Sequence, residues 1–259
     1  MSTPDQAGLR KKVIAFLMEE SKPGDVGREK VLEELAAHPD MLVLDAILPC
    51  WMTSRETMGL LQWLIENGCN PLDPAQATLS QHAHIERGTI SLAFVLRRLE
   101  DEEGKALRSP DGENLVHLLC QARPEWLGTS LVDYVDNARH DSGRYLPKWF
   151  NEARLSDGNT PLHIWWKGTE KVLMDEVEEK NTPFFEWDVS EALIRAGADV
   201  EARDSEGVSC ARCMLNAAQI GTPMPMYAPG VIKALSVIEH EDLQEQTAPA
   251  SKSGLSRRI

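Results

Sequence analysis

Asp157-Gly158-Asn159-Thr160-Pro161-Leu162-His163 is the stretch on which the reading of this chain turns. Each residue type has a local reason to be there. Gly158 supplies the positive φ that a tight turn needs. Thr160 can cap a helix start with its hydroxyl. Pro161 suits the first helical position, where its missing N–H would be unpaired anyway. Leu162 points inward. Downstream, Ala192-Leu193-Ile194-Arg195-Ala196-Gly197-Ala198-Asp199-Val200 reads as the end of a second helix stopped by a glycine cap.

A repeating unit is tested by finding another copy. Glu201-Ala202-Arg203-Asp204-Ser205-Glu206-Gly207 follows Glu152-Ala153-Arg154-Leu155-Ser156-Asp157-Gly158 by 49 residues, with Glu, Ala, Arg, Ser and Gly in register. A third copy lies 46 residues upstream, Arg108-Ser109-Pro110-Asp111-Gly112-Glu113-Asn114-Leu115-Val116-His117. It keeps the Arg, the acid before Gly, the Gly and the His, with Asn114 in place of Thr. A weaker echo, Leu60-Leu61-Gln62-Trp63-Leu64-Ile65-Glu66-Asn67-Gly68-Cys69-Asn70, matches the second helix and its glycine end.

These motifs resemble the ankyrin repeat, over about residues 40–220. The resemblance implies an all-α solenoid of stacked helix-turn-helix units joined by short hairpin loops. It also implies that His117 and His163 tie neighbouring loops to backbone. The departures are large. Ankyrin units run about 33 residues, so each unit here carries an insertion of roughly 13–16. Pro161 is replaced by Leu115 and Cys210 in the other copies, and His163 by Arg212. Trp165 and Trp166 stand where two small residues usually follow the His. An irregular stack with long inter-helix insertions is expected.

The chain around these repeats divides as follows. Residues 1–40 form an N-terminal cap: a polar start through residue 8, a helix over Leu9–Glu20, a break at Pro23-Gly24 and a helix over Val31–Ala37. Residues 41–220 hold the repeats. Met41–Trp51 and Glu56–Asn67 pair first, then Ala77–Glu86 and Ile90–Leu107, with Leu92, Val95, Leu96 and Leu99 buried. Asn114–Gln121 opens the next unit, enlarged by Asp136–Phe150. The unit 158–200 is enlarged by Glu170–Asp188, and Ser209–Gln219 is the last repeat helix. Residues 221–240 comprise a Gly/Pro-rich loop and a closing helix over Val231–Glu239. Residues 241–259 read as a disordered polar tail.

Composition excludes some functions. A formal net charge of −14 argues against sequence-independent nucleic-acid binding and against docking on an anionic membrane. It suits a basic protein partner or plain solubility. No signal peptide and no run of about 18 apolar residues is visible. Five scattered cysteines fit a reducing compartment. The expected location is cytoplasmic, with delivery into another cell left open.

The chemistry-bearing motifs are weak. Cys210-Ala211-Arg212-Cys213 lacks the second ligand pair that zinc needs and the βαβ context that redox chemistry needs. His82 and His84 point apart on a helix. No phosphate loop, no nucleophile elbow and no singled-out carboxylate pair is present. The expectation is a protein with no catalytic residues, no metal and no cofactor.

Two surfaces are candidates for a protein partner. The first is aromatic. Eight of the fifteen Phe, Trp and Tyr residues lie within 145–187. Six of the eight are in the insertions: Tyr145, Trp149, Phe150, Phe184, Phe185 and Trp187. They either form a local core against Trp165 and Trp166 or present interface anchors. The second follows from the ankyrin resemblance, which places partners on hairpin tips and on the exposed side of the inner helices. The tips are Pro110, Asp111 and Glu113; Ser156, Asp157 and Asn159; and Ser205, Glu206 and Val208. Gln121 and Lys167 would face the groove. The acidic tips imply a partner with a basic patch, weakened where Arg108, Arg154 and Arg203 pair with those acids. The reading is a non-catalytic module that masks or recruits another protein, in an inhibitor-like, immunity-like or effector-targeting role. The alternative is a self-associating scaffold that uses the aromatic insertions.

Overall fold

The computed structural model describes residues 6–20, 26–47, 55–77, 92, 95, 96, 99, 106–140, 148–175, 183–220 and 229–247. Among these the chain is built from helices: α1 (Gln6–Glu20), α2 (Val26–Ala37), α3 (Val43–Ile47), α4 (Arg55–Glu66), α5 (Leu115–Ala122), α6 (Leu127–His140), α7 (Lys148–Asn151), α8 (Pro161–Asp175), α9 (Pro183–Arg195), α10 (Cys210–Ile220) and α11 (Pro229–Thr247). No strand is present among the described residues, although an isolated antiparallel bridge pairs Arg203 with Ser209.

Helices α1–α4 pack on one another. Val13 and Leu17 are buried as the spacing predicts, and Phe16 stacks on Trp63 with centroids 5.4 Å apart. Arg10 reaches from α1 to the carbonyls of Leu35 at 2.5 Å and Met41 at 2.7 Å, satisfying acceptors that the end of α2 leaves open. Both opening helices begin earlier than expected: α1 takes in residues 6–8 and α2 starts at Val26. Most of the expected pair over 77–107 lies outside the described residues. Leu92, Val95 and Leu96 are helical and buried. Leu107 is not helical; its N–H returns to the Leu99 carbonyl at 2.7 Å.

The remaining helices form two layers. Helix α8 packs between α5 and α10; α9 packs between α6 and α11. Chain order alternates between layers, so each hairpin connects one layer of a unit to the next. Helices α4 and α9 end alike. Gly68 and Gly197 adopt φ of +84° and +112°, and the following N–H groups, of Cys69 and Ala198, return to Leu64 and Leu193 at 3.0 Å. This is the glycine-terminated cap that satisfies a helix's last carbonyls.

Where they are described, the insertions are helical; residues 141–147 and 176–182 lie outside the described part. Helix α6 and the one-turn α7 occupy the first, and the second is absorbed as extra turns of α8 and α9. Trp149, Phe150 and Trp187 are 3 %, 0 % and 3 % exposed. Phe150 meets Tyr134 of α6 with centroids 5.5 Å apart, and Trp187 meets Trp166 at 4.5 Å. Tyr145 and the side chains of Phe184 and Phe185 lie outside the described part, whereas Trp149, Phe150 and Trp187 are not surface anchors for a self-associating scaffold. The apolar surface they bury holds the unit together instead.

The paired indoles part company across the two layers. Trp165 is fully buried beneath the Arg123 guanidinium, 4.0 Å from the ring centroid. Arg123 closes α5 in a left-handed conformation, φ 53°, ψ 48°. It donates to the Trp165 carbonyl at 2.8 Å and to Thr169 Oγ1 at 3.1 Å. Trp166 turns to the other layer, where its Nε1 donates to Ser190 Oγ at 2.9 Å.

The closing helix corrects the start of the expected tail, and residues 248–259 lie outside the described part. Gly230 lies inside α11, and the helix runs to Thr247. Glu241 is the reason: it is 8 % exposed and accepts from Arg203 at 2.7 Å and from Arg212 at 3.4 Å. At the other end, Glu191 of α9 accepts from the Gly230 N–H at 2.9 Å.

Turn glycines with similar φ differ in what surrounds them. A Cβ on Gly158 (φ +69°) would sit 2.7 Å from the Ser205 backbone nitrogen, whereas one on Gly207 (φ +82°) meets nothing within 4 Å. Gly207→Ala should therefore cost about 1 kcal/mol, the conformational term alone. Gly158→Ala should cost roughly 3 kcal/mol or more, because backbone must also separate. Urea midpoints of the two variants measure the difference, and equal midpoints would refute the close approach.

Candidate functional site

The motif Arg-x-x-x-Gly builds the same object three times. Gly112, Gly158 and Gly207 all take positive φ, at 85°, 69° and 82°. In the first and third turns the residue three before Gly closes the hairpin. Ser109 N–H donates to the Glu113 carbonyl at 2.8 Å, and Asp204 N–H to the Val208 carbonyl at 3.1 Å. Their side chains hold the turn as well. Ser109 Oγ accepts from Glu113 N–H at 3.1 Å; Asp204 Oδ1 accepts from Glu206 and Val208 N–H, each at 2.9 Å. The middle turn has Leu155 at that position, which offers no acceptor. Its closure shifts one residue outward, with Arg154 N–H donating to the Asn159 carbonyl at 3.0 Å, and Asp157 Oδ1 takes the Asn159 N–H at 3.0 Å.

Backbone hydrogen bonds join the three turns. Leu155 N–H donates to the Asp111 carbonyl and Ser205 N–H to the Asp157 carbonyl, both at 2.9 Å. The tips thus form a continuous ridge, and each is fastened to the helix that follows it. Asn114 and its neighbour His117 make a reciprocal cap at the start of α5. The buried Asn114 amide also donates to the Trp149 carbonyl at 3.0 Å and to Glu152 at 2.9 Å. Asparagine fits here because threonine has no amide to spend on the next unit. At α8, Thr160 N–H donates to His163 Nδ1 at 3.2 Å, and His163 Nε2 meets the Val208 carbonyl of the next hairpin at 3.1 Å. Ser209 Oγ caps α10 by accepting Arg212 N–H at 3.2 Å.

The arginines and acids of the ridge pair extensively. Arg154 bonds Asp157 and, at 3.0 Å, Glu113; Arg108 bonds Glu152 at 2.5 Å. Lys167 of α8 bonds the buried Asp204 at 2.7 Å. For Arg154, Asp157, Lys167 and Asp204 burial works against the charge, but the partners win. Arg154 and Asn159 hold the Asp157 carboxyl below the usual carboxylate range, and Lys167 does the same for Asp204. Lys167 in turn is held above the usual lysine value by Asp204.

The expected partner-binding residues are therefore split. Asp111, Ser205 and Glu206 are exposed on the ridge. Glu113, Asp157 and Lys167 lie on it half-buried and paired. Asn159 is buried, because its amide closes the middle turn on Asp157, and it is no longer a candidate. Trp149, Phe150 and Trp187 are likewise removed by burial. Phe184 and Phe185 belong to α9, but their side chains lie outside the described part. Leu155 was missed: it is 75 % exposed at the crest of the middle turn, against Gly112. An apolar residue where the other copies carry Ser109 and Asp204 was the available clue.

The thiols and imidazoles lie beneath the ridge. Burial pushes the Cys120 thiol up to about 12 and Cys213 to about 11, and it raises Cys210 as well. All three are in the unreactive thiol form at neutral pH. No group of three metal-ligating side chains occurs among the described residues. Nor is any helix among them long and apolar enough to cross a membrane. No protein-family model and no curated protein matches the chain.

Burial drives His117 down to about 4, with Arg108 and Arg154 adding to the effect and the carbonyls of Glu152 and Asn159 opposing it. Between pH 6.5 and about 4 the unfolded chain binds a proton at this position that the folded chain refuses. Stability should therefore fall with pH across that window, by on the order of 3 kcal/mol from this residue. The paired carboxylates Asp157 and Asp204 add their losses only below it. Urea unfolding at pH 7, 5.5 and 4.5 checks this, with His117→Gln removing the histidine's share.

Native thiol labelling at pH 8 should leave Cys120, Cys210 and Cys213 unmodified over the time in which denatured protein reacts fully. Rapid native labelling of Cys210 or Cys213 would reopen a chemical role for that pair.

Proposed function

We propose that this chain is a divergent ankyrin-type solenoid that acts as a non-catalytic protein-binding module, with the hairpin ridge as its contact surface. Support for the solenoid comes from three turns with positive-φ glycines in one register, helix caps at matching positions and two continuous helix layers. The observation that carries the binding role is the ridge itself. Its backbone is locked by turn-to-turn hydrogen bonds, and its crest leaves Asp111, Leu155, Ser156, Ser205 and Glu206 exposed. Ser156 Oγ donates to Asp111 at 3.0 Å, and rigid backbone beneath exposed side chains binds with little ordering cost.

The partner in this reading is a protein with a basic patch. Acids outnumber bases by 41 to 27 in the chain, and the internal pairs leave Asp111 and Glu206 as the crest carboxylates. Charge of this kind governs the rate of encounter and the choice of partner more than the final affinity. Leu155, between the two acids along the crest, supplies the apolar contact. Masking and recruiting are both served by such a surface.

Affinity capture from the native cell's lysate tests the reading, with the parent beside an Asp111→Lys/Glu206→Lys double variant. The parent should retain a near-stoichiometric partner at 50 mM salt and hold it roughly tenfold less well at 300 mM, where screening is stronger. The double variant should lose the partner at both. A partner held equally by parent and variant would remove the ridge from consideration. Recovery of the chain alone, with mass rising with concentration, would favour self-association.

A further inference from the structure

One imidazole joins three elements. His163 Nδ1 accepts from Thr160 N–H at 3.2 Å and lies 2.9 Å from Thr160 Oγ1, at the head of α8. The Cys210 thiol, on the first residue of α10, stands 3.1 Å from the same nitrogen. On the far edge of the ring, Nε2 meets the Val208 carbonyl of the third hairpin at 3.1 Å. These partners assign a single state. Nε2 carries the proton, because a carbonyl can only accept, and Nδ1 keeps its lone pair for the Thr160 N–H and the thiol. A second proton would turn Nδ1 into a donor that Thr160 Oγ1 can accept, but the Thr160 N–H and the Cys210 thiol would lose the lone pair they share. It would also put a positive charge on a fully buried ring.

The charged and titratable groups around the ring come from each neighbouring element: Lys167 from α8, Asp157 from the second hairpin, Asp204 from the third and Cys210 from α10. None offers the imidazolium a free counter-ion. Asp204 is bonded to Lys167, and Asp157 to Arg154. Cys210 is a neutral thiol, its ionisation opposed by burial. Burial holds the His163 pKa below the ordinary imidazole value, against the pull of the Val208 carbonyl and Asp204.

The other two copies lack this arrangement. His117 makes its cap to Asn114, but its buried Nε2 faces the Glu152 and Asn159 carbonyls of the next hairpin without closing a well-formed hydrogen bond to either. The charges that face it most strongly are the cations Arg154 and Arg108. In the last unit Arg212 stands at the histidine position and cannot titrate in this range. The bridged, titratable joint therefore lies between α8 and the hairpin of residues 201–209.

We propose that His163 is an acid-released latch: protonation of its ring frees the 201–209 hairpin and the head of α10 from α8 while the preceding units stay folded. The opening is local because apolar packing of α10 and α11 on α8 and α9 does not depend on the ring. The freed hairpin carries Ser205 and Glu206, so acidification would dismantle one end of the ridge. The latch rests on the hydrogen-bond geometry alone and stands whether or not the ridge binds a protein.

Amide exchange on the full chain tests it, read as protection factors so that the intrinsic pH dependence of exchange is removed. The amides of Ser205, Gly207 and Cys210 report the latch; those of α5 report global opening. From just below pH 6.5, protection at the latch amides should fall by up to about tenfold per pH unit, the limit for one proton, while staying below that of α5, whose global opening also takes up the His117 proton. His163→Gln, which cannot titrate, should flatten that fall. Latch amides as well protected as those of α5 at every pH, which leaves global opening only, or an unchanged slope in the variant, would overturn the proposal. If the variant does not fold, the parent's own His163 ring resonance decides. Ring and latch amides that shift with one midpoint support the latch; a ring that titrates while the Gly207 and Cys210 amides stay still overturns it.

Discussion

The hydrogen bonds between successive turns constrain everything else in the repeat region. Leu155 N–H to the Asp111 carbonyl and Ser205 N–H to the Asp157 carbonyl bring backbone against backbone. That approach admits no Cβ at Gly158, since one would meet Ser205 N at 2.7 Å. It also sets where each following helix begins, because the cap residues Asn114, Thr160 and Ser209 stand two residues past each turn glycine. Once the helix starts are spaced by the turns, α5, α8 and α10 lie in one layer and their returning partners in another. Side-chain packing then fills a frame that main-chain geometry has defined.

Filling that frame explains the insertions. A unit with small residues after the histidine leaves room for close helix stacking. Trp165 and Trp166 occupy that room, and two fully buried indoles represent on the order of 3 kcal/mol each of apolar burial. They can be buried only if each finds a separate wall. Arg123 provides one through its guanidinium face and its bonds to the Trp165 carbonyl and Thr169. Trp187 and Ser190 of α9 provide the other. The added turns of α8 and α9 bring Trp187 into place, and α6 with α7 does the same for Trp149 and Phe150. The extra residues enlarge the core of the units that carry them.

Much of the local structure was legible in residue types. The turn glycines and the starts of α5, α8 and α10 follow from backbone chemistry within a few residues, which a sequence displays directly; at Thr160, however, the cap is His163 Nδ1 accepting the Thr160 N–H and not the expected hydroxyl. The loop-tying role expected of the histidines holds fully for His163 and only on one side for His117. What failed depended on distant partners. The polar stretch 241–247 looked unable to fold because Glu241 gives no hint of Arg203 and Arg212. The aromatic insertions suited either burial or display, since composition counts aromatics without saying which wall they face. Leu155 was hidden by its polar surroundings, although the register against Ser109 and Asp204 marked it as different. The one-residue shift of the middle turn follows from that same substitution.

The distribution of charge carries the argument for where recognition could occur. A net charge of −14 suggests a broadly acidic surface, yet much of the ridge's acidity is internal. Arg154 draws in Glu113 and Asp157, Arg108 takes Glu152, Lys167 takes Asp204, and Arg203 with Arg212 takes Glu241. Each pair is half-buried on at least one side, so each side chain is committed to a fixed geometry and cannot reorganise around a partner without breaking a contact in the stack. The crest residues Leu155, Ser205 and Glu206 carry no such commitment through their side chains. Substitution of Ser205 or Glu206, or an apolar replacement of Leu155, would leave turn closure, helix caps and layer packing as they are. A fold that fixes the backbone so tightly and spends its inner side chains on cohesion leaves the crest as the place where sequence can change freely. In the reading proposed here, that freedom is what lets an otherwise structural ridge acquire a specific partner.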